Sequence, residues 1–164
     1  QGAKIMNEMV RNILPWLLDK GCRVVHLTGK NDYFYRDLGK FENHPNLAVR
    51  HFSKENPALL QNADLAISRA GAGAISELMV SKTPSVLIPF PQSTDHHQEL
   101  NAAYMARFGG AVIVNQHDPE EHILKTTISN LFRSNSLVKM KSNMNNHIFI
   151  NPENQICKIM KSIS

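Results

Sequence analysis

The sequence has few cysteines and no long apolar segment, and both absences limit the class of protein. Its two cysteines, Cys22 and Cys157, lie far apart, with no partner at a short spacing. This usage favours a reducing compartment and argues against a disulfide framework or a zinc site. No apolar run is long enough to span a bilayer, and no secretory signal peptide is visible. With 42% hydrophobic and 20% charged residues, the composition is that of a globular domain.

Several catalytic and binding patterns are also missing. There is no Gly-x-Ser-x-Gly elbow, no cysteine–histidine nucleophile pattern and no Gly-x-Gly-x-x-Gly, because Gly71-x-Gly73 is followed by Ser76. Asp95 to His97 are contiguous, but neighbouring side chains on a helix diverge, so we expect no metal. Lysines and arginines are spread out without an aromatic-basic motif, which argues against nucleic acid. The formal charge of +4 suits an anionic ligand or membrane surface, or simply a solubilising surface.

The 164 residues are enough for one domain, 1–164, and their pattern alternates between strands and helices. We predict an α/β fold, a Rossmann-like parallel sheet with helices on both faces. Gly21 should cap the first helix in a left-handed conformation, and Pro15 should kink that helix or divide it. Residues 141–147 should form a flexible loop between C-terminal helices within 133–164. Predicted strands are 22–28, which should be buried on both faces, 47–52, 64–68, 84–90 and 111–115. Predicted helices are 4–19, 33–38, 56–61, a segment that follows the turn at 70–74 and includes 75–79, 96–108, 119–132, 136–143 and 152–163.

The stretch from Asp64 to Leu78, DLAISRAGAGAISEL, organises the rest of the chain. It predicts a buried strand, a glycine-rich turn with φ > 0, and a helix whose N-terminal N–H groups approach an anion such as a phosphate. Glu77 would lie about one turn into that helix, where a carboxylate can reach a ribose diol. An ordinary strand-to-helix turn packed with small residues has the same pattern.

A second polar segment follows the strand at 84–90. Four loops lie at carboxyl ends of the predicted strands, where ligands bind in an open parallel sheet: 28–30, 52–54, 68–74 and 89–97. The last leads into a helix on which His97, Gln98 and Asn101 share or neighbour one face. Side-chain amides donate and accept hydrogen bonds, which suits sugar hydroxyls. A polar helix start facing water explains the same pattern.

Three ordered motifs, SRAGAGAISEL, PSVLIPFP and DHHQELNA followed by Gly109-Gly110-Ala111, resemble the C-terminal domain of glycosyltransferase family 28. The opening Gln1-Gly2-Ala3, with Asn7, is similar to the tail of that family's GGSQGA…N motif. The resemblance covers most of the chain and weakens after about Phe132. It implies the donor-binding half of a two-domain GT-B enzyme that transfers N-acetylglucosamine from UDP-N-acetylglucosamine to lipid I, forming the lipid II of peptidoglycan.

The resemblance also implies roles for particular residues. Glu77 would bind the ribose, the backbone at Ala72, Gly73 and Ala74 the diphosphate, and Gln98 and Asn101 the N-acetylglucosamine hydroxyls. Further donor-site residues would be Gln1 and Gly2 near the sugar and phosphates, Phe52 in the 51–53 loop against the uracil, and Arg69. Catalysis would be inverting and need no metal or other cofactor, with the leaving UDP stabilised by a helix N-terminus.

The sequence departs from the family pattern at its start. The family's preceding strand, which lies between the strands at 22–28 and 64–68, is absent, as is the acceptor half with its catalytic base, lipid I site and membrane-facing patch. We therefore expect a piece of a longer, peripheral protein at the cytoplasmic face of the bacterial plasma membrane, in contact with anionic lipid. The piece alone should be inactive, and its catalytic residues cannot be assigned.

Two other functions fit the same residues. One is a stand-alone donor-binding subunit of the dolichol pathway, whose turn typically has histidine in place of Arg69 and which lacks a match to residues 95–101. The other is a non-catalytic nucleotide-sugar sensor. An acceptor domain upstream in the gene would distinguish an enzyme from such a sensor.

Overall fold

The computed structural model describes residues 2–29, 41, 43–93, 96–117 and 122–146, which contain five strands and six α-helices. Strands β1 to β5 are Val24–Leu27, Leu47–Arg50, Ala66–Ser68, Ser85–Leu87 and Ala111–Ile113. Helices α1 to α6 are Gly2–Asp19, Asn56–Gln61, Ala72–Ser81, His97–Arg107, Ile123–Arg133 and Ser136–Asn146. The predicted α/β class is confirmed. The helices predicted at 33–38 and 152–163, and the helix start predicted at 118–121, lie outside the described residues.

All strand pairs are parallel, and the described strands form two sheets. β1 pairs with β2, and β4 lies between β3 and β5, with Val86 opposite both Ile67 and Val112. No described strand joins β1 to β3 by hydrogen bonds. The gap falls where the family pattern has an additional strand.

Burial differs between the two sheets. Val86 and Leu87 of β4 are completely buried, as expected for a central strand covered on both faces. β1 was predicted to be equally buried, but its Val25 is 46% exposed, so one face of this strand is open. β3 is only half-buried along its length. The deep core of the described fold therefore surrounds β4.

Helix α1 is a single element that continues through Pro15, so the predicted junction between two helices is absent, whereas the alternative, a kink, stays a prediction. Leu14 and Leu17, on either side of the proline, are both buried, so both halves of the helix pack against the core. Gly21 ends the helix with φ +77° as predicted, and Cys22 N–H donates to the carbonyl of Leu17 at 3.1 Å. No helix in the described ranges has both the length and the apolar character needed to cross a membrane.

The C-terminal helix α6 corrects another prediction. Residues 141–146 were expected to form a flexible loop, but they continue α6. Met144 is completely buried, and Asn143 Nδ2 donates to the carbonyl of Gly109 at 3.3 Å. Packing against the end of α4 overrides the polar local sequence, which otherwise favours a loop.

Candidate functional site

The N-terminus of α3 presents unpaired backbone donors. Gly71 is the N-cap, in an extended conformation, and no side chain caps the helix. Ile75 N–H donates to the carbonyl of Gly71 at 2.9 Å, the first hydrogen bond of the helix. The N–H groups of Ala72, Gly73 and Ala74 precede that bond, at the positive end of the helix dipole. This arrangement can bind an anion.

Gly71 and Gly73 leave the backbone of the turn uncovered, and neither has the positive φ that was predicted for the turn. Gly71 has φ −65°, and the positive-φ glycines of the described chain are Gly21, Gly29 and Gly109, so the predicted φ > 0 turn was wrong. A methyl group added at Gly71 or Gly73 would meet no atom within 4 Å. A helix can begin directly from extended backbone, so no left-handed residue is needed. The glycines leave open space in which a ligand can approach the backbone.

Glu77 lies on the exposed side of the same helix. It is the sixth residue of α3 and therefore lies beyond the first turn. Its Oε2 accepts a hydrogen bond from Nδ2 of Asn56, the first residue of α2. Sequence reasoning missed Asn56, because an asparagine at a short helix start gives no signal that it contacts a carboxylate 21 residues later.

Gln98 and Asn101 hold the loops beside α4. Gln98 Oε1 accepts a hydrogen bond from the Phe90 N–H at 3.0 Å, at the end of the β4 segment. Asn101 Nδ2 donates to the carbonyl of Ala70 at 2.9 Å, just before α3. Each amide therefore uses one of its polar atoms for the fold. Gln98 Nε2 and Asn101 Oδ1 remain as the donor and acceptor that a sugar hydroxyl could use.

Arg69 lies between β3 and the turn and also contacts the protein itself. Its Nη1 donates to the carbonyls of Ile88 at 2.9 Å and Pro89 at 3.2 Å, and its guanidinium lies 5.6 Å from the centre of the Phe90 ring. Partial burial lowers the pKa of Arg69, but a guanidinium remains charged near neutral pH. Arg69 therefore adds positive charge directly before the turn at residues 70–74. Its hydrogen bonds also hold the loop after β4 in place. Its contact with a ligand remains a prediction.

The loop after β2 supplies an exposed aromatic ring. Phe52 is 71% exposed, whereas the next residue, Ser53, is buried and its Oγ accepts a hydrogen bond from the Glu55 N–H at 3.0 Å. His51 Nδ1 lies 3.3 Å from Thr28 Oγ1, which joins this loop to the end of β1. The Phe52 ring is thus held on a fixed loop and is free to contact a planar base.

The beginning of the chain is described only in part. Gln1 lies outside the described residues, and Gly2 is the first residue of α1. Asn7 is buried, and its Nδ2 donates to the carbonyl of Thr28 at 2.9 Å. His26 Nε2 lies 3.3 Å from Asn7 Oδ1. Asn7 therefore fixes the start of α1 against the end of β1.

Two other features lie apart from these residues. Two surface cavities, of about 260 and 430 Å³, are lined by residues at the α5–α6 junction, including Phe132 and Val138. None of the predicted site residues lines either cavity. Within the described ranges, no three histidine, cysteine, aspartate or glutamate side chains are grouped closely enough to hold a metal ion.

Comparison with known proteins gives a family for this arrangement. Residues 1–158 match the model of the glycosyltransferase family 28 C-terminal domain. The chain belongs to this family. The resemblance seen in its motifs is thereby confirmed over almost the whole sequence.

Relatives from this family are long and named for one reaction. A Prochlorococcus marinus (strain NATL2A) protein is 73% identical over 164 residues, which are 100% of this chain and 47% of that protein. A Synechococcus sp. (strain CC9605) protein is 48% identical over 172 residues, and the match covers 99% of this chain and 47% of that protein. Both are named UDP-N-acetylglucosamine--N-acetylmuramyl-(pentapeptide) pyrophosphoryl-undecaprenol N-acetylglucosamine transferase. The chain spans about half the length of these curated relatives.

A solved structure confirms the fold. The crystal structure of Acinetobacter baumannii MurG superimposes with a TM-score of 0.76 at 25% identity. The match covers 99% of this chain and 49% of that one. The parallel α/β architecture is thus that of one half of a GT-B glycosyltransferase.

Proposed function

We propose that this chain binds UDP-N-acetylglucosamine as the donor-binding half of an N-acetylglucosaminyltransferase. The acceptor would be the N-acetylmuramyl-(pentapeptide) pyrophosphoryl-undecaprenol that appears in the relatives' name. The observation that carries the proposal is the bare N-terminus of α3, where open space at Gly73 leaves the backbone donors accessible to a diphosphate. Identity of 73% over all 164 residues supports the same donor.

Hydrogen bonds around α3 connect the other residues of the proposed UDP-N-acetylglucosamine site. Asn101 reaches Ala70 just before the helix, Gln98 holds Phe90, and Glu77 lies farther along α3. In the proposed complex the diphosphate lies at residues 72–74, Glu77 accepts hydrogen bonds from the ribose, and Phe52 lies against the uracil. Gln98 Nε2 and Asn101 Oδ1 contact the sugar hydroxyls. Arg69 and the α3 dipole stabilise the negative charge of the leaving UDP.

The reaction also needs groups outside this set. Inverting transfer requires a base that removes the proton of the acceptor hydroxyl as it attacks the anomeric carbon. We propose that the remaining part of a full-length protein of the relatives' size supplies this base, the lipid site and a strand between β1 and β3. Sequencing the gene upstream of Gln1 tests this, and an initiator methionine immediately before Gln1 would contradict it.

Charge stabilisation in this proposal comes from the protein and not from a metal ion. We expect the affinity of the full-length protein for UDP to be the same in EDTA as in Mg²⁺. The same should hold for its affinity for UDP-N-acetylglucosamine. Isothermal titration calorimetry under both conditions measures this directly. Loss of binding in EDTA would contradict the proposal.

We also propose that the full-length protein acts at the cytoplasmic face of the bacterial plasma membrane, because its acceptor carries an undecaprenol chain. It should sediment with vesicles containing anionic phospholipid and not with neutral vesicles. Equal sedimentation with both would argue against an electrostatic membrane contact.

A transfer assay tests the function as a whole. Full-length protein, UDP-[¹⁴C]N-acetylglucosamine and the lipid acceptor should yield radiolabelled lipid, and omission of the acceptor should abolish it. Binding of UDP-N-acetylglucosamine without any transfer would instead favour the non-catalytic sensor. Absence of both binding and transfer would overturn the proposed donor site.

A further inference from the structure

The contact between Asn56 and Glu77 joins two helices of the proposed site. One helix, α2, follows strand β2 and the other, α3, follows strand β3, and these strands belong to different sheets. Asn56 begins α2, immediately after the loop that carries Phe52, and Glu77 lies on α3. The Asn56 amide donates to Oε2 of the carboxylate. A carboxylate on an exposed helix surface otherwise samples several rotamers. This hydrogen bond selects one of them.

The position of α2 does not depend on this contact. Thr83 Oγ1, after the end of α3, donates to the carbonyl of Leu60 at 2.7 Å, which ties the far ends of the two helices together. Thr83 is buried, whereas the Asn56–Glu77 contact is exposed. Loss of the Asn56 amide should therefore free the carboxylate without detaching the helix.

We propose that Asn56 is a positioning residue for nucleotide binding, which fixes the Glu77 carboxylate so that it accepts hydrogen bonds from the ribose diol. The assignment rests on the proposed donor function. The amide occupies one lone-pair direction of Oε2, and the carboxylate retains Oε1 and the rest of Oε2 for two hydroxyls.

The test is a double-mutant cycle in the full-length protein, with UDP affinity measured by calorimetry. Asn56→Ala should weaken UDP binding about 2- to 10-fold, the range expected when the one hydrogen bond that positions the Glu77 carboxylate is lost. In a Glu77→Ala background the same substitution should change affinity by less than about 2-fold, because no carboxylate remains to be positioned. Asn56→Asp should weaken binding at least as much as Asn56→Ala, because two carboxylates would face each other.

The matched control is Asn62→Ala. Asn62 follows the same helix, and its Nδ2 donates to the carbonyl of Ala58 at 2.8 Å, away from Glu77. Its loss should affect α2 stability but leave UDP affinity within about 2-fold. Selectivity gives a second measurement: Asn56→Ala, but not Asn62→Ala, should reduce the preference for UDP over 2′,3′-dideoxy-UDP.

The outcomes separate the positioning role from the donor function. An equal loss from Asn56→Ala in both backgrounds, or an effect no larger than that of Asn62→Ala, overturns the positioning role while the donor site stands. Failure of the unmodified protein to bind UDP, or an unchanged affinity in Glu77→Ala, overturns the ribose site and the positioning role with it.

Discussion

Asn101 donates a hydrogen bond from Nδ2 to the carbonyl of Ala70 at 2.9 Å, so helix α4 holds the backbone that leads into α3. One helical turn earlier, Gln98 makes the complementary contact, in which its Oε1 accepts from the Phe90 N–H. Asn101 thus contacts the backbone through its amide nitrogen, as a donor, and Gln98 through its amide oxygen, as an acceptor. Replacing each amide by its acid removes the donor and keeps an acceptor, so the two substitutions should have opposite consequences.

Gln98→Glu should retain the fold and lose sugar recognition. A carboxylate oxygen still accepts from the Phe90 N–H, so the free energy of unfolding should change by less than about 0.5 kcal/mol. The donor at Nε2 is lost, which should weaken UDP-N-acetylglucosamine binding by about 1–2 kcal/mol relative to UDP. Urea unfolding and calorimetry with both ligands measure these effects. An equal loss for UDP and UDP-N-acetylglucosamine would show that Gln98 does not contact the sugar.

Asn101→Asp should instead destabilise the fold. The donor to the Ala70 carbonyl is lost and a carboxylate faces that carbonyl, which should lower the free energy of unfolding by about 1–3 kcal/mol. Binding of UDP should also weaken, because the backbone before α3 is no longer fixed. Urea unfolding of Asn101→Asp beside Gln98→Glu provides the comparison. Unchanged stability would show that the Ala70 contact contributes nothing.

Glu77→Ala tests the ribose contact itself. Loss of two hydrogen bonds to a carboxylate should weaken UDP binding in the full-length protein by about 2–4 kcal/mol, allowing for partial replacement by water. Glu77→Gln should lose less, because an amide oxygen still accepts one bond. The fold should survive both changes, since Glu77 is exposed and lies beyond the first turn of α3. A lowered melting temperature with unchanged UDP affinity would contradict the ribose assignment.

The sequence was sufficient to predict the order and class of the elements that the structure describes. Apolar runs such as Ser85–Leu87 are strands because both faces are covered, and the left-handed cap at Gly21 follows from its lack of a side chain. The same local reasoning failed at residues 141–146, where Met144 and Asn143 are held by contacts with the end of α4. The position of the gap between β1 and β3 was expected from the family resemblance and not from local sequence, because strand pairing depends on partners distant in the chain.

The site was predicted residue by residue, but its internal contacts were not. Motifs identified Glu77, Gln98 and Asn101, yet they gave no sign that each makes a hydrogen bond with the protein itself. Asn56 has no motif, and its role depends on how α2 packs on α3. Local sequence specifies which chemical groups are present, whereas tertiary packing decides which of their atoms remain available to a ligand.

Gly73→Ala should separate stability from binding. Gly73 is the second residue of α3 and a methyl group there meets no protein atom, so alanine should stabilise the helix by about 0.5–1 kcal/mol. The same methyl group would occupy the open space beside the backbone donors, and UDP affinity should fall at least about 10-fold if a diphosphate lies there. Thermal unfolding and calorimetry test both effects. Increased stability with unchanged UDP affinity would place the diphosphate elsewhere.

Gly109 should not tolerate a side chain without a loss of stability. It ends α4 with φ +75°, and a methyl group there would overlap Nδ2 of Asn143 on α6. Gly109→Ala should lower the free energy of unfolding by about 2–4 kcal/mol, from left-handed strain plus overlap. The matched control is Gly21→Ala, since Gly21 ends α1 with φ +77° but has no atom within 4 Å of an added methyl group. That substitution should cost only the strain, about 1–2 kcal/mol.

Asn143→Ala then isolates the contact between α4 and α6. Removing the Asn143 amide eliminates the overlap, so Gly109→Ala in this background should cost no more than Gly21→Ala does alone. Urea unfolding of the four variants measures the coupling, which should be about 1–2 kcal/mol between Gly109 and Asn143. Additive effects would mean that the Asn143 side chain rotates away from the added methyl group without cost. Such a result would show that the overlap with Asn143 adds nothing to the cost of Gly109→Ala.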